Sequence, residues 1–310
     1  MTTSHDGGAR GFYAELTSRN AGVIAPAVQE ALSGARVLVA GCGSIGGAAV
    51  EPLARLGVQR LAIADPGTYE LNNLNRQNAT MADVGRNKAE VAAERVRAIN
   101  PSARVTVCSA GVTPDTVGTL TAGCDVIVDG VDVTTDRGLR AKYLLHEHAV
   151  RLALPLVTGW DMAGAQYVRC YDYRTVRRVF DGRISASDLD RLGMWQLLQR
   201  LVPVRYVPLE MVELAAANLD SQSFTFPQLV YAADLFGAIA THVVVQLLTG
   251  QPVRKHIYVD LYQQARPPAP RWSARLRRPV RMIGALARLR RSPAGSNGKA
   301  ERTPALTDER

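Results

Sequence analysis

Cysteine is scarce in this sequence: Cys42, Cys108, Cys124 and Cys170 stand far apart among 310 residues. None forms a C-x-x-C pair, which argues against a zinc knuckle and against a disulfide framework and suits a reducing compartment. The opening stretch, MTTSHDGGARGFYAEL, has no apolar centre of the kind a secretory leader carries. No run of about 18 apolar residues stands out as a membrane span. A cytoplasmic location is therefore expected. The hydrophobic share of 47% is ordinary for a globular protein, and the length suffices for one large α/β domain that needs no cross-links.

Most of the chain also lacks net charge. From Arg266 to Arg310 there are 12 Lys/Arg against 3 Asp/Glu, which accounts for the whole formal charge of +9, and the residues before it balance 25 basic against 25 acidic. The basic balance thus belongs to the tail. Its opening, RPPAPRWSARLRRP, is rich in Pro and Arg, and its end, RRSPAGSNGKAERTPALTDER, has the composition of a flexible segment. The chain therefore divides into an N-terminal helical segment 1–35, a nucleotide-binding body 36–265 and a basic tail 266–310.

Within the body, short apolar runs alternate with helical stretches. Strands are read at Arg36–Gly41, Arg60–Asp65, Ala103–Cys108, Cys124–Gly130 and Leu154–Gly159. Helices are read at Ser44–Leu56, at Arg86–Ile99 and after Asp136. QYVRCYDY alternates like a strand, Phe226–Gly250 reads as a core or dimer-interface helix, and His256–Tyr262 as the closing strand. This is the pattern of an α/β fold, a Rossmann-like doubly wound, mainly parallel sheet with an antiparallel extension and helices on both faces. Ligands in such sheets bind at the carboxyl ends of the strands where the strand order reverses.

Gly41, Gly43 and Gly46 fit G-x-G-x-x-G between a strand and a helix. In that arrangement the first glycine permits a tight turn, the second admits a phosphate and the third lets helix pack on strand. Asp65 comes at the next strand end, where a carboxylate commonly receives ribose hydroxyls. To this point a nicotinamide dehydrogenase is the default reading. The residues downstream weigh toward the triphosphate. LNNLNRQ supplies Asn73, Arg76 and Gln77, and Lys88 stands near the start of the next helix, more cation and amide than two phosphates need. VDGVD then brings two carboxylates, Asp129 and Asp132, past a strand end, suited to a hard cation such as Mg2+ beside phosphate oxygens.

With those residues in order, Ser18 to about Gly159 resembles the ThiF/MoeB/HesA family, bacterial relatives of ubiquitin-activating enzymes. The carrying motifs are GCGSIGG, Asp65, LNNLNRQ, GRNKAE around Lys88, and DGVD followed by Arg137; the likeness to about Tyr262 is looser. The resemblance implies a homodimer or pseudodimer that uses ATP and Mg2+ to adenylate the C-terminal carboxylate of a ubiquitin-like carrier protein or a peptide. It implies that Gly41, Gly43, Gly46 and Asp65 bind the nucleotide and that Asn73, Arg76, Gln77 and Lys88 handle its phosphates. Asp132 would serve the metal and the reacting centre. TSRNAG resembles the family's short motif whose arginine, here Arg19, crosses to the partner's triphosphate.

The chain also departs from the family. Many relatives carry a cysteine after the nucleotide domain, whereas here the last is Cys170, read as a buried strand residue. No covalent cysteine relay is expected, and the acyl-adenylate would pass to a sulfide or amine donor. Val133 replaces an often polar residue, and the paired zinc cysteines of several relatives are missing, so no structural zinc is expected. His146 and His148, at i and i+2 on a helix, point apart and make a poor metal site. In the tail, Trp272, Leu276, Val280, Ile283 and Leu286 fall at roughly helical spacing, interrupted by Pro279. This leaves nucleic acid or an anionic membrane open as tail partners. A tRNA-modifying adenylating dehydratase and a nicotinamide-dependent oxidoreductase stand as the alternative functions.

Overall fold

The structure, a computed structural model, describes residues 4–218, 227–267 and 281–284, with side chains from residue 10 onward apart from Trp195. The helices, in chain order, are α1 (Ser4–Leu16), α2 (Pro26–Gly34), α3 (Gly46–Leu56), α4 (Lys88–Ile99), α5 (Val117–Thr121), α6 (Asp136–Leu152), α7 (Ala186–Arg191), α8 (Met194–Leu201), α9 (Leu209–Ala217), α10 (Val230–Leu248) and α11 (Leu261–Ala265). The strands are β1 (Arg36–Ala40), β2 (Arg60–Ala64), β3 (Arg104–Cys108), β4 (Val126–Asp129), β5 (Pro155–Met162), β6 (Ala165–Asp172) and β7 (His256–Asp260).

The chain separates into two compact units, residues 1–208 with 226–266, and residues 209–225 with 267–310. The second unit thus takes in α9 along with the basic tail, where composition alone marks only the boundary after residue 265. Among its described residues, Arg281 ion-pairs with Glu213 at 2.6 Å. Trp272, Leu276, Pro279, Val280 and Leu286 lie outside the described residues.

In the larger unit the strands form one sheet in the order β3-β2-β1-β4-β5-β6-β7. The first five run parallel, and the β5–β6 and β6–β7 pairs are antiparallel. Buried runs such as VLVA and VIVD are apolar almost throughout because helices cover both faces. One face packs α2, α3, α4 and α10 around Val37, Val39 and Ile63; the other packs α5, α6, α7 and α8 around Leu38, Ile127 and Leu156. The order reverses between β1 and β4, so the crevice for a ligand opens there.

Helix α10 is long and apolar enough to span a bilayer by length and composition, yet more than half of its apolar window is buried in the fold. Phe236, Ala240, Val243 and Val244 lie in the core beside α3, which makes it a core helix. Gly237 is the point of closest approach, since a Cβ there would run into the Ala48 carbonyl of α3. We expect Gly237→Ala to lower stability by about 1–3 kcal/mol through overpacking, measurable by denaturant unfolding.

Candidate functional site

The site is built on two turns that touch. β1 ends before Gly41, whose φ of 82° suits glycine, and β4 ends before Gly130. A Cβ on Gly41 would strike the Gly130 carbonyl, and one on Gly46 would strike the Gly41 carbonyl. Gly41 donates its N–H to Ala64 O, and Gly130 donates to Ala40 O, both at 2.7 Å. Gly43 differs: the nearest atom to its added Cβ is Gln77 Nε2 at 3.8 Å, so this turn has an open side. The three glycines thus differ in setting: Gly41 has a positive φ, Gly43 has open space beside it, and Gly46 packs tightly on the Gly41 carbonyl.

Asp65 is buried where β2 ends. Its Oδ2 accepts the Cys42 N–H at 2.5 Å and its Oδ1 the Gly67 N–H at 2.7 Å, so the carboxylate braces the glycine loop. Asn87 caps α4 by accepting the Ala89 and Glu90 N–H groups, and its amide donates to the Asp65 carbonyl at 3.0 Å. That bond sets Lys88, the first helical residue, beside Asp65. The Lys88 stem lies near Gly67 and its ammonium stands 5.7 Å from the Tyr69 ring centroid, with no carboxylate partner among the described residues.

The LNNLNRQ residues divide. Asn73 is buried in its own turn, where Oδ1 accepts the Glu70 N–H at 3.2 Å and Nδ2 donates to Asn72 Oδ1 at 2.5 Å. Arg76 gives Nη1 to the Asn72 carbonyl (2.9 Å) and Asn75 Oδ1 (2.7 Å), while its Nε is sealed without a partner. Burial pushes its pKa below the usual guanidinium range, with Asp161 opposing. Gln77 Oε1 is likewise sealed and unpaired.

VDGVD does not present an acidic pair. Asp129 is fully buried, ion-paired with Lys142 at 2.6 Å and bonded to His146 at 2.9 Å, and its Oδ1 accepts the Val131 N–H at 3.0 Å. Although burial pushes its pKa up, Lys142 and His146 hold it below the usual carboxylate range. As the last residue of a covered strand it faces inward, unlike Asp132, which is exposed and accepts from Thr134 N–H (2.9 Å) and Oγ1 (2.7 Å). His146 also bonds Tyr173 at 2.6 Å, whereas His148 meets Arg151, so the two histidines do point apart. Among the described residues no group of three or more His, Cys, Asp or Glu could hold a metal ion.

Arg19 lies in a short 3-10 turn and is exposed. Its neighbours hold that turn on the end of α3: Asn20 Nδ2 and Gln29 Nε2 donate to the Leu56 carbonyl, and Tyr13 OH to that of Gly57. Cys42, Cys124 and Cys170 are buried. Burial pushes all three thiols up, Cys170 to about 12 and Cys124 to about 11, the opposite of a nucleophilic cysteine.

One site residue lies beyond the strand boundary that the sequence suggests. β5 continues past Gly159 to Met162 and carries Asp161. Burial pushes its carboxyl up to about 6, while the Ser44 hydroxyl and the Arg76 guanidinium favour its charge. Gln166, with its amide nitrogen turned to the acceptors, donates to Asp161 Oδ1 (2.7 Å) and Ala232 O (3.0 Å), and its oxygen accepts from Trp160 N–H (3.2 Å). Asp161 Oδ2 is buried and unpaired. Three strand spacings separate Asp65 from Asp161, roughly 14 Å across the crevice.

A family model described as the ThiF family matches residues 17–183. The chain belongs to that family. It is 30% identical over 277 residues to an uncharacterized protein of Mycobacterium tuberculosis, spanning 85% of this chain and 38% of that protein. It is 39% identical over 132 residues to the tRNA threonylcarbamoyladenosine dehydratase of Escherichia coli, spanning 42% of this chain and 47% of that one. The crystal structure of that enzyme superposes on 77% of this chain and 96% of its own, with a TM-score of 0.55 and 25% identity. A sulfur carrier protein adenylyltransferase of Thermus thermophilus is 34% identical over 137 residues, 44% of this chain and 49% of that enzyme. The chain thus matches less than half the length of these three curated relatives.

Because the folded state raises the Asp161 pKa to about 6 from an ordinary 3.8, ionising it opposes folding. The cost is full above pH 6 and vanishes as pH falls toward 4. We expect Asp161→Asn to stabilise the protein at pH 7–8 by up to about 3 kcal/mol, with the gain gone near pH 4. Denaturant melts across that range measure it.

Proposed function

We propose that the protein binds ATP in the β1–β4 crevice and adenylates the C-terminal carboxylate of a small ubiquitin-like sulfur-carrier protein or a peptide. One observation carries this reading. An open glycine loop is flanked by two cations, Arg76 and Lys88, neither of which has a carboxylate salt bridge among the described residues. Family membership narrows the polyanion to a nucleotide cut at its α-phosphorus. A nicotinamide cofactor leaves both cations without employment, and the oxidoreductase alternative falls with the family assignment.

The chemistry is governed by charge. The substrate carboxylate is already ionised and attacks the α-phosphorus; the bond to the β-phosphate oxygen breaks and pyrophosphate departs. No side-chain base is required. The chain has to align two anions and neutralise oxygens. Gly41, Gly43 and Gly46 shape the phosphate turn, Asp65 faces the ribose side, and Arg76, Gln77 and Lys88 take the phosphates. Asn73 holds the LNNLNRQ turn through its Oδ1 and one Nδ2 hydrogen, which leaves its second amide donor for a phosphate.

Asp132, exposed and oriented by Thr134, suits a hydrated Mg2+ bound chiefly through phosphate oxygens. When bound, that ion would supply charge neutralisation at the phosphates. Arg19, exposed on a firmly docked turn, would reach the triphosphate of a second copy in a homodimer. The buried thiols favour direct transfer of the acyl-adenylate to an external sulfide or amine donor rather than a cysteine relay, and free cysteines suit a cytoplasmic location. The basic tail would add affinity for an acidic partner, nucleic acid or anionic membrane.

A second reading, an adenylating dehydratase acting on modified tRNA, is favoured by the match to the E. coli dehydratase in both sequence and fold. ATP–pyrophosphate exchange with carrier proteins, peptides and tRNA as separate arms decides between them. With the cognate acceptor, Lys88→Ala and Asp132→Ala are expected to remain folded and lose exchange by about 10²–10³-fold; wild-type exchange in either refutes its role. Cys170→Ser is expected to leave overall turnover within about twofold, since a buried, protonated thiol is inert. Normal adenylation with a lost second step would establish the relay instead.

A further inference from the structure

Among the described residues four buried side-chain polar atoms have no hydrogen-bond partner, and three of them are Arg76 Nε, Gln77 Oε1 and Asp161 Oδ2. Gln77 faces Gly43, and Asp161 faces Ser44 and Arg76, so all three gather beside one turn of the glycine loop. Folded proteins pair about nine-tenths or more of such atoms. Three failures in one place mark an arrangement that another state completes.

Two of the three are complementary. Arg76 Nε–H is a donor and Asp161 Oδ2 an acceptor, and the two charged groups act on each other with no hydrogen bond between them. Arg76 instead bonds Asn72 and Asn75, residues of its own loop whose acceptors water can serve equally well. Asp161 has less freedom. Gln166 holds its Oδ1 and is itself held by Ala232 and Trp160, while the nearby Ser44 hydroxyl favours the charged carboxylate.

We propose that Asp161 is the positioning residue for Arg76. With a triphosphate on the glycine loop, the guanidinium leaves Asn72 and Asn75, donates Nε–H to Asp161 Oδ2, and turns its Nη groups onto phosphate oxygens. A carboxylate behind the fork restricts the side chain to the productive orientation and adds a charge-assisted bond. This deepens the adenylation reading and rests on it.

The sign of one measurement separates this role from plain electrostatics. Removing a carboxylate near a polyanion should tighten binding if charge alone mattered; removing the support of Arg76 should weaken it. The full chain is titrated calorimetrically with Mg2+ and α,β-methylene ATP, an analogue that cannot be cleaved at the reacting bond. Wild type, Asp161→Asn, Arg76→Ala and the double variant are compared.

We expect Asp161→Asn to weaken binding by about ten- to a hundredfold while melting no lower than wild type at pH 7.5, so the loss cannot come from a damaged fold. In the Arg76→Ala background the same substitution should have no further weakening effect. Unchanged or tighter binding by Asp161→Asn overturns the proposal, as does an equal loss on both backgrounds. If the wild type itself fails to bind the analogue, the adenylation reading falls first and this proposal with it.

Discussion

The contact between the turns at Gly41 and Gly130 is the constraint on which the site depends. Two parallel strands that diverge into opposite halves of a sheet leave a crevice only if their carboxyl ends meet without side chains between them. Here the Gly130 N–H goes to Ala40 O, the Gly41 N–H to Ala64 O, and no Cβ fits at either glycine or at Gly46. Asp65 then closes the arrangement by accepting the Cys42 and Gly67 N–H groups. The glycine turn, the Asp65 carboxylate and the start of α4 are therefore one hydrogen-bonded unit. Lys88 inherits its position from that unit through Asn87 rather than from any contact of its own charge.

Below and above this unit the protein treats charge in opposite ways. Beneath the crevice, buried ions are compensated: Asp129 has Lys142 and His146, and Arg169 has Asp181. Leaving such a charge alone in the interior would cost several kcal/mol. At the crevice, Arg76 sits half-buried with its charge disfavoured, Lys88 has no carboxylate among the described residues, and Asp161 is held against its own ionisation. A chain able to neutralise its interior so fully, and leaving these three unsatisfied around one crevice, is arranged for a charged visitor. Perturbed groups gather at functional sites for this reason.

Much of this is legible in order along the chain. Apolar runs such as VLVA and VIVD announce covered parallel strands, G-x-G-x-x-G announces the turn, and Gln77 and Lys88 come after it at the expected places. The hidden part depends on side-chain commitments between distant segments. VDGVD looks like two carboxylates for one cation until Lys142 and His146, more than ten residues on, claim Asp129. Asn73 reads as a free amide, yet its own turn takes its Oδ1 and one of its two donors. Asp161 is hidden for a boundary reason: the apolar run stops at Gly159, and so does the strand that hydropathy suggests. The observed strand continues because β6 pairs with it as far as Met162, and pairing, unlike hydropathy, leaves no local mark.

The distribution of thiols bears on the chemistry after adenylation. A cysteine acting as nucleophile needs a lowered pKa and access. Cys42 lies under the loop with Asp65 beside it, Cys124 just before β4, and Cys170 in the middle of the β5–β6 hairpin opposite Val157, all with their thiols pushed up by burial. The same packing that closes the sheet beneath the glycine loop buries three of the four sulfurs. Cys108, half-buried at the end of β3, lies beyond β2, on the flank of the glycine loop away from β4 and β5. A relay cysteine would have to open a core strand or cross the nucleotide. Under the proposed direct transfer, an acceptor diffusing to the crevice has to do neither.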